Sequence, residues 1–459
     1  MNQHPDFVTA VREDLSDWRQ WVARVVVLAH AAAAGLAVVA FTWLSERALS
    51  GFSALTAWQP WLPLVWTPAL TAAIVWVTLR FAPGAAGSGI PQVMAALSPS
   101  MPPENRSWFV SLKLSVAKTL LTASGLLGGL AIGREGPSVQ IAAGVMQHAE
   151  RWLPGRSGVT SQGLLVAGGA AGIAAAFNAP LAGVMFAIEE LTRKIEQRNS
   201  GLIIAAIVLS GLMAVSVFGN STYFGVIRVP QLGLDYALPG LLVIVGCGLL
   251  GGFFSRLLHT SIVGGNDRAS RWKRRHPIAF AAGCGVVIAA IGLASSGATF
   301  GSGYDYTQRL LEGHTDMPLL YVTLRIVATW LAVWAGVPGG IFAPSLAIGA
   351  GIGNDVALLT LLGHEPSTPL IALGMTAFLA AVTQAPITAF IIVMEMVDGH
   401  AMVLSLMAAA LGASLVSRWI SAPLYSALAE AQLQRLLGSA ASGPSVSPPP
   451  GRSPALPGA

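Results

Sequence analysis

Residues 131–144 read AIGREGPSVQIAAG, from Ala131 to Gly144. Arg134 and Glu135 stand side by side between glycines, and a proline follows two residues later, in a chain that is otherwise very apolar. In a soluble protein Glu135 would be an ordinary acid at a helix start. At the centre of a bilayer a charged side chain costs roughly 2.5–3.5 kcal/mol on insertion scales and marks function by default. The solvent around Glu135 therefore decides how the whole stretch is read.

Composition identifies that solvent. The chain is 54% hydrophobic and 10% charged, with a mean hydropathy of +0.65, against roughly 25% charged in a soluble domain. Uncharged runs cover Val25–Leu44, Trp61–Leu79, Gly201–Phe218, Leu238–Phe254, Ile278–Ser296 and Ala401–Val416. A helix needs about 20 apolar residues to cross a bilayer, so these runs predict an all-α polytopic membrane protein. The alternating pattern of a transmembrane β-barrel is not seen. Glycine makes up 51 of 459 residues, in keeping with membrane helices that approach closely. Cys247 and Cys284 both sit in apolar runs and read as core packing. Neither a CxxC pattern nor clustering of the eight histidines suggests a metal, and no cofactor is expected.

Charge sets the expected orientation. The segment DRASRWKRRHP carries Arg268, Arg271, Lys273, Arg274 and Arg275, and Arg193, Lys194 and Arg198 mark a second basic loop. Positive loops stay in the cytoplasm. Two spans lie between these loops, which returns the second loop to the side of the first. No basic stripe with interleaved aromatics points to nucleic acid. Residues 1–24 read as an amphipathic cytoplasmic helix without signal-peptide features. Residues 438–459 are Pro/Ser/Gly-rich and are expected to be disordered. The membrane domain spans 25–437 between them, with both termini cytoplasmic.

The chain also repeats itself. Shifted by 207 residues, GREGPSVQIAAG (Gly133–Gly144) falls over GIFAPSLAIGAG (Gly340–Gly351), and Lys118 falls over Arg325. Shifted by 206, Gly168–Glu190 falls over Gly374–Met396, with Glu189 over Glu395. GSG occurs at 87–89 and again at 301–303. Three matches in one order predict two repeats, about 25–218 and 238–437. Transporters are often built from inverted repeats, with the site where Gly/Pro-broken helices meet near the midplane. The first N–H groups of a helix lack internal partners and carry the positive end of its dipole. Several such ends aimed at one point make an anion site without lysine or arginine. GSGIP, GREGP and GGIFAP all have this form.

GSGIP (Gly87–Pro91), GREGPSVQ (Gly133–Gln140), AAAFNAPLAGVMFAIEE (Ala174–Glu190), GGIFAPSLAIG (Gly339–Gly349) and PLYSAL (Pro423–Leu428), in this order, resemble the CLC chloride channel and chloride/proton antiporter family. The resemblance runs from about Val25 to Leu437. It implies a homodimer with one pore per subunit, in the cell (inner) membrane, and a fold of two inverted-topology repeats. It implies chloride held by the Ser88 and Tyr425 hydroxyls and the Ile341 and Phe342 N–H groups, with Gly133, Arg134 and Gly340 lining the site. Glu135 would be the external gate. Glu190 would pass protons from the cytoplasm. The family's cytoplasmic nucleotide-binding domains have no counterpart after Leu437, as in prokaryotic-type members.

Each role has a plainer alternative. Glu135 could pair with Arg134, although neighbouring helix residues point in different directions. Glu190 could be an edge acid pairing with Arg193 or Lys194, and Glu189 and Glu395 read as structural. Ser88 alone would be a turn serine and Tyr425 an interfacial anchor. Chloride/proton exchange is the expected function, with protons and chloride as partners in the bilayer. A passive chloride channel is the alternative and a fluoride exporter a weaker one. HExxH and GxSxG are absent, so an intramembrane hydrolase is not expected.

Overall fold

The structure is a computed structural model that describes residues 18–155, 157–192, 200–219, 223–224, 233–314, 317–318, 320–360 and 366–441. These residues form eighteen α-helices. The first half holds α1 (Trp18–Trp58), α2 (Pro63–Phe81), α3 (Ile90–Leu97), α4 (Leu112–Leu127), α5 (Glu135–His148), α6 (Ser161–Phe177), α7 (Pro180–Phe186) and α8 (Ser200–Phe218). The second holds α9 (Ala237–Val263), α10 (Arg268–Arg275), α11 (Pro277–Ala294), α12 (Tyr304–Leu311), α13 (Tyr321–Ala335), α14 (Phe342–Thr360), α15 (Thr368–Thr383), α16 (Pro386–Met396), α17 (Val403–Arg418) and α18 (Leu424–Ala441).

The six uncharged runs fall in α1, α2, α8, α9, α11 and α17. Eight described helical segments are long and apolar enough to cross a bilayer, and the runs had missed Pro103–Leu127 and Phe342–Thr360. Two expected boundaries shift. α1 passes through position 25 without a break, so residues 18–24 continue the first span, and α18 runs to Ala441 rather than ending at 437. Residues 1–17, Arg193, Lys194, Arg198 and the tail after 441 lie outside the described residues.

Helix starts follow local chemistry. Ser111 caps α4 by accepting the Leu114 N–H at 3.4 Å, and Thr160 caps α6 through the Gly163 N–H at 3.0 Å. Proline occupies the first turn of α2, α3, α7, α11, α15 and α16, where its missing N–H is not needed. Asp267 starts α10 outside the spans. It accepts the Ser270 N–H at 2.9 Å, and hydrogen bonding from the Ser270 hydroxyl and then from this N–H holds its carboxyl below the ordinary range.

The two halves use the same packing. α5 lies on α6 as α14 lies on α15, and α1 packs on α6 and α8 as α9 packs on α15 and α17. α6 and α15 end on left-handed residues at matching places, Asn178 (φ 53°) and Gln384 (φ 60°). The halves meet through α2 against α11 and α7 against α16. Large apolar side chains such as Trp43, Val116, Phe253 and Leu415 point outward, as they do in a helix bundle solvated by lipid.

Two reciprocal contacts stitch the repeats. Glu189 accepts the Ile387 and Thr388 N–H groups at 3.0 and 2.6 Å, at the start of α16. Glu395 accepts the Leu181 and Ala182 N–H groups at 3.3 and 2.7 Å, at the start of α7. Each carboxylate neutralises the positive end of the other repeat's helix, which is the structural role expected for both. Glu189→Ala and Glu395→Ala should each lower stability by about 2 kcal/mol. Thermal unfolding in detergent should show two similar downward shifts, because the contacts are equivalent. A shift from only one of the two would mean that the stitches are unequal.

Candidate functional site

The repeats pair backbone to backbone at Gly133 and Gly340. Gly133 N–H donates to Gly340 O at 2.7 Å and Gly340 N–H donates to Gly133 O at 2.8 Å. A Cβ on Gly340 would come within 2.9 Å of the Gly136 nitrogen, and one on Gly133 would strike the Glu135 carboxylate. Only glycine permits this approach. The bridge sets the starts of α5 and α14 beside each other. Gly339 N–H donates to Gly87 O at 3.0 Å and draws in the GSG loop that leads into α3.

Buried side chains hold the loops open. Lys118 is fully buried on α4 and donates from Nζ to Ala85 O at 2.8 Å and Gly87 O at 2.5 Å. Arg325 does the same in the second repeat, donating to Thr299 O and Gly301 O at 2.8 Å each. Gln140 donates to Gly84 O at 2.9 Å and Phe109 O at 2.7 Å. These residues satisfy the carbonyls that non-helical backbone would otherwise strand in an apolar interior.

The expected site residues converge here. Ser88 and Tyr425 present buried hydroxyls without hydrogen-bond partners, and each lies within reach of the other. Ile341 and Phe342 are 3% and 2% exposed, and their N–H groups open α14, where a helix has no internal acceptor. The Phe342 ring stacks on Tyr425 with centroids 6.0 Å apart and an angle of 11°. Gly136 backs Ser88 closely, since a Cβ on Gly136 would overlap Ser88 Oγ and displace that hydroxyl. A cluster of buried donors without protein acceptors calls for an acceptor from outside, and a dehydrated anion supplies one.

Glu135 is fully buried beside this cluster. Its Oε2 accepts the Ala343 N–H at 3.3 Å, one residue beyond Phe342, while Oε1 has no hydrogen-bond partner. The carboxylate thus rests on the start of α14, as an anion would. Arg134 does not pair with it. Its guanidinium turns to Glu46 at 2.8 Å and to the Tyr223 hydroxyl at 3.2 Å. Arg134 therefore borders the site with its hydrogen bonds directed away from the donor cluster.

Glu190 lies at the other end of this region, in a π turn (Ala187–Leu191) that packs on α6 and α3. The wider turn separates neighbours. Glu189 reaches α16, whereas Glu190 has no hydrogen-bond or ion-pair partner among the described residues. Lys118, Gln140 and Glu46 were missed as supports of the site. Lys118 had left a signal, a lysine deep in an apolar stretch and matched by Arg325 in the repeat.

Residues 70–418 match the family model for the voltage-gated chloride channel. The chain belongs to that family, the CLC family. Solved structures agree at the level of fold. A slow cyanobacterial Cl−/H+ antiporter is 24% identical with a TM-score of 0.76, covering 90% of this chain and 98% of its own. A eukaryotic CLC transporter is 22% identical at 0.68, covering 90% and 74%. A CLC-type fluoride/proton antiporter is 20% identical at 0.71, covering 88% and 97%. The chain is a multi-pass CLC membrane protein with two inverted repeats.

If the donor cluster holds the anion, crowding it should be worse than trimming it. Ser88→Ala removes one hydrogen bond, about 1.5–3 kcal/mol when the acceptor is charged, or roughly 10- to 150-fold in affinity. Gly136→Ala drives the Ser88 hydroxyl out of place and presses on the loop that carries it, and should abolish measurable binding. Calorimetric titration of chloride into purified protein reads both. Unchanged affinity in Gly136→Ala would place the ion elsewhere.

Proposed function

We propose that the chain exchanges chloride for protons, with Glu135 as the external gate and Glu190 as the internal proton acceptor. The observation that carries this reading is the Glu135 carboxylate seated on the Ala343 N–H at the start of α14. As a carboxylate it competes with chloride for the same positive helix end. Once protonated it loses its charge and its claim on that end, and it can yield to chloride. Carboxylate and chloride thus exclude one another from that helix end, and the proton decides which of them occupies it, so the movements of the two ions are linked. Ser88, Tyr425 and the Ile341 and Phe342 N–H groups would hold the central ion, with Gly133, Gly340 and Arg134 shaping its surroundings. Serine at 88 and intact GREGP favour chloride over fluoride as cargo.

In this reading the basic α10 faces the cytoplasm of an inner membrane and both termini lie on that side. The protein works as a homodimer with one pathway per subunit, and residues 18–441 form its membrane domain. Transport rather than bond-breaking chemistry is its task.

Purified protein in liposomes under a chloride gradient provides the test, with external pH recorded while an ionophore clamps the voltage. The unmutated protein should move protons uphill. Glu190→Gln should abolish proton movement while chloride flux persists, and Glu135→Gln should uncouple the two and remove pH dependence. Chloride flux without coupled protons in the unmutated protein would make it a passive channel.

A further inference from the structure

A cavity of about 460 Å³ opens where α4 begins and α5 ends, far along α5 from Glu135. Its walls include Arg106, Ser111, Lys113, Gln147, His148 and Arg151. The acid in the wall, Glu150, is already engaged, by Gln147 and by the Ser161 hydroxyl at 3.4 Å. Arg106 Nη1 donates to Ser161 Oγ at 3.0 Å, and its buried Nε has no partner. Lys113 and Arg151 are exposed and form no ion pair among the described residues. The cavity therefore holds three cations against one occupied carboxylate.

Its surroundings fix the kind of ligand. The mouth lies at the end of the span Pro103–Leu127, where a bilayer's headgroup layer would be. Trp108 and Trp152 flank it with 61% and 64% of their surface exposed, and Leu112 adds an outward apolar side chain. Exposed tryptophans beside a membrane span sit at headgroup depth, and basic pockets beside spans take phosphate-bearing headgroups. Phosphate matches the three cations, and acyl chains match the tryptophans and Leu112.

We infer that this cavity binds the headgroup of an anionic phospholipid, held by Arg106, Lys113 and Arg151. The bound lipid grips the last turn of α5, through Gln147 and His148, and α5 carries Glu135 on its first turn. The composition of one leaflet thereby bears on the helix that positions the gate.

Native mass spectrometry of detergent-purified protein tests this without any transport assay, so its result is independent of the exchange reading. Dioleoyl phosphatidylglycerol and dioleoyl phosphatidylcholine serve as probes. The unmutated protein should keep phosphatidylglycerol adducts several-fold more than phosphatidylcholine. Lys113→Gln/Arg151→Gln, two exposed changes, should lose that excess. Arg271→Gln/Arg275→Gln on α10 should keep it. Equal retention of the two lipids, or an excess that survives in Lys113→Gln/Arg151→Gln, would overturn the inference. An equal loss in the α10 variant would also overturn it, because the effect would then be diffuse surface charge. Displacement of the lipid by millimolar glycerol 3-phosphate would overturn the lipid assignment and leave a site for soluble phosphate.

Discussion

The pair of hydrogen bonds between Gly133 and Gly340 is the constraint on which the rest of the molecule depends. Breaking helices inside an apolar solvent strands backbone groups that water cannot rescue. The protein satisfies most of them internally. The two glycines pair with each other, Lys118 and Arg325 take up the carbonyls of the GSG loops, and Glu189 and Glu395 take up the N–H groups that begin α16 and α7. Among the buried hydroxyls that find no protein partner, those of Ser88 and Tyr425 lie beside the start of α14. In the reading proposed above, an anion would complete the hydrogen bonding at this helix start.

That origin explains why no cation of the protein points into the site. A lysine or arginine there would bind an anion tightly and release it slowly. Neutral donors and helix ends give a weaker, shallower well that an ion can leave. In the proposed reading they also let Glu135 compete on similar terms, since its carboxylate rests on the Ala343 N–H of the same helix start whose Ile341 and Phe342 N–H groups would hold a halide. Arg134 is adjacent in sequence and could have unbalanced this, but Glu46 and Tyr223 hold it aside.

Much of this was legible in the chain, and the illegible parts have physical reasons. Long uncharged runs announced six helices, and the offset of 207 residues set Gly133 over Gly340 before any contact was visible. α4 escaped notice because Lys113 and Lys118 interrupt it, and Asp355 did the same for α14. Hydropathy counts a lysine as an obstacle, yet Lys118 is buried against carbonyls that offset its charge. The π turn at Ala187–Leu191 leaves no compositional trace, so adjacent Glu189 and Glu190 could be told apart only by the repeat and by resemblance. The partner of Arg134 lies 88 residues away on α1, a distance that no local pattern can bridge.

The crossed carboxylates of Glu189 and Glu395 also bear on how the protein is made. The helix start at Ala182 is neutralised by a side chain 213 residues downstream. During synthesis the first repeat enters the membrane long before Glu395 exists. Its α7 must wait with bare N–H groups until the second repeat has been threaded in the opposite sense. The two halves therefore complete each other, and α7 reaches its final hydrogen bonding only once the second repeat is in place.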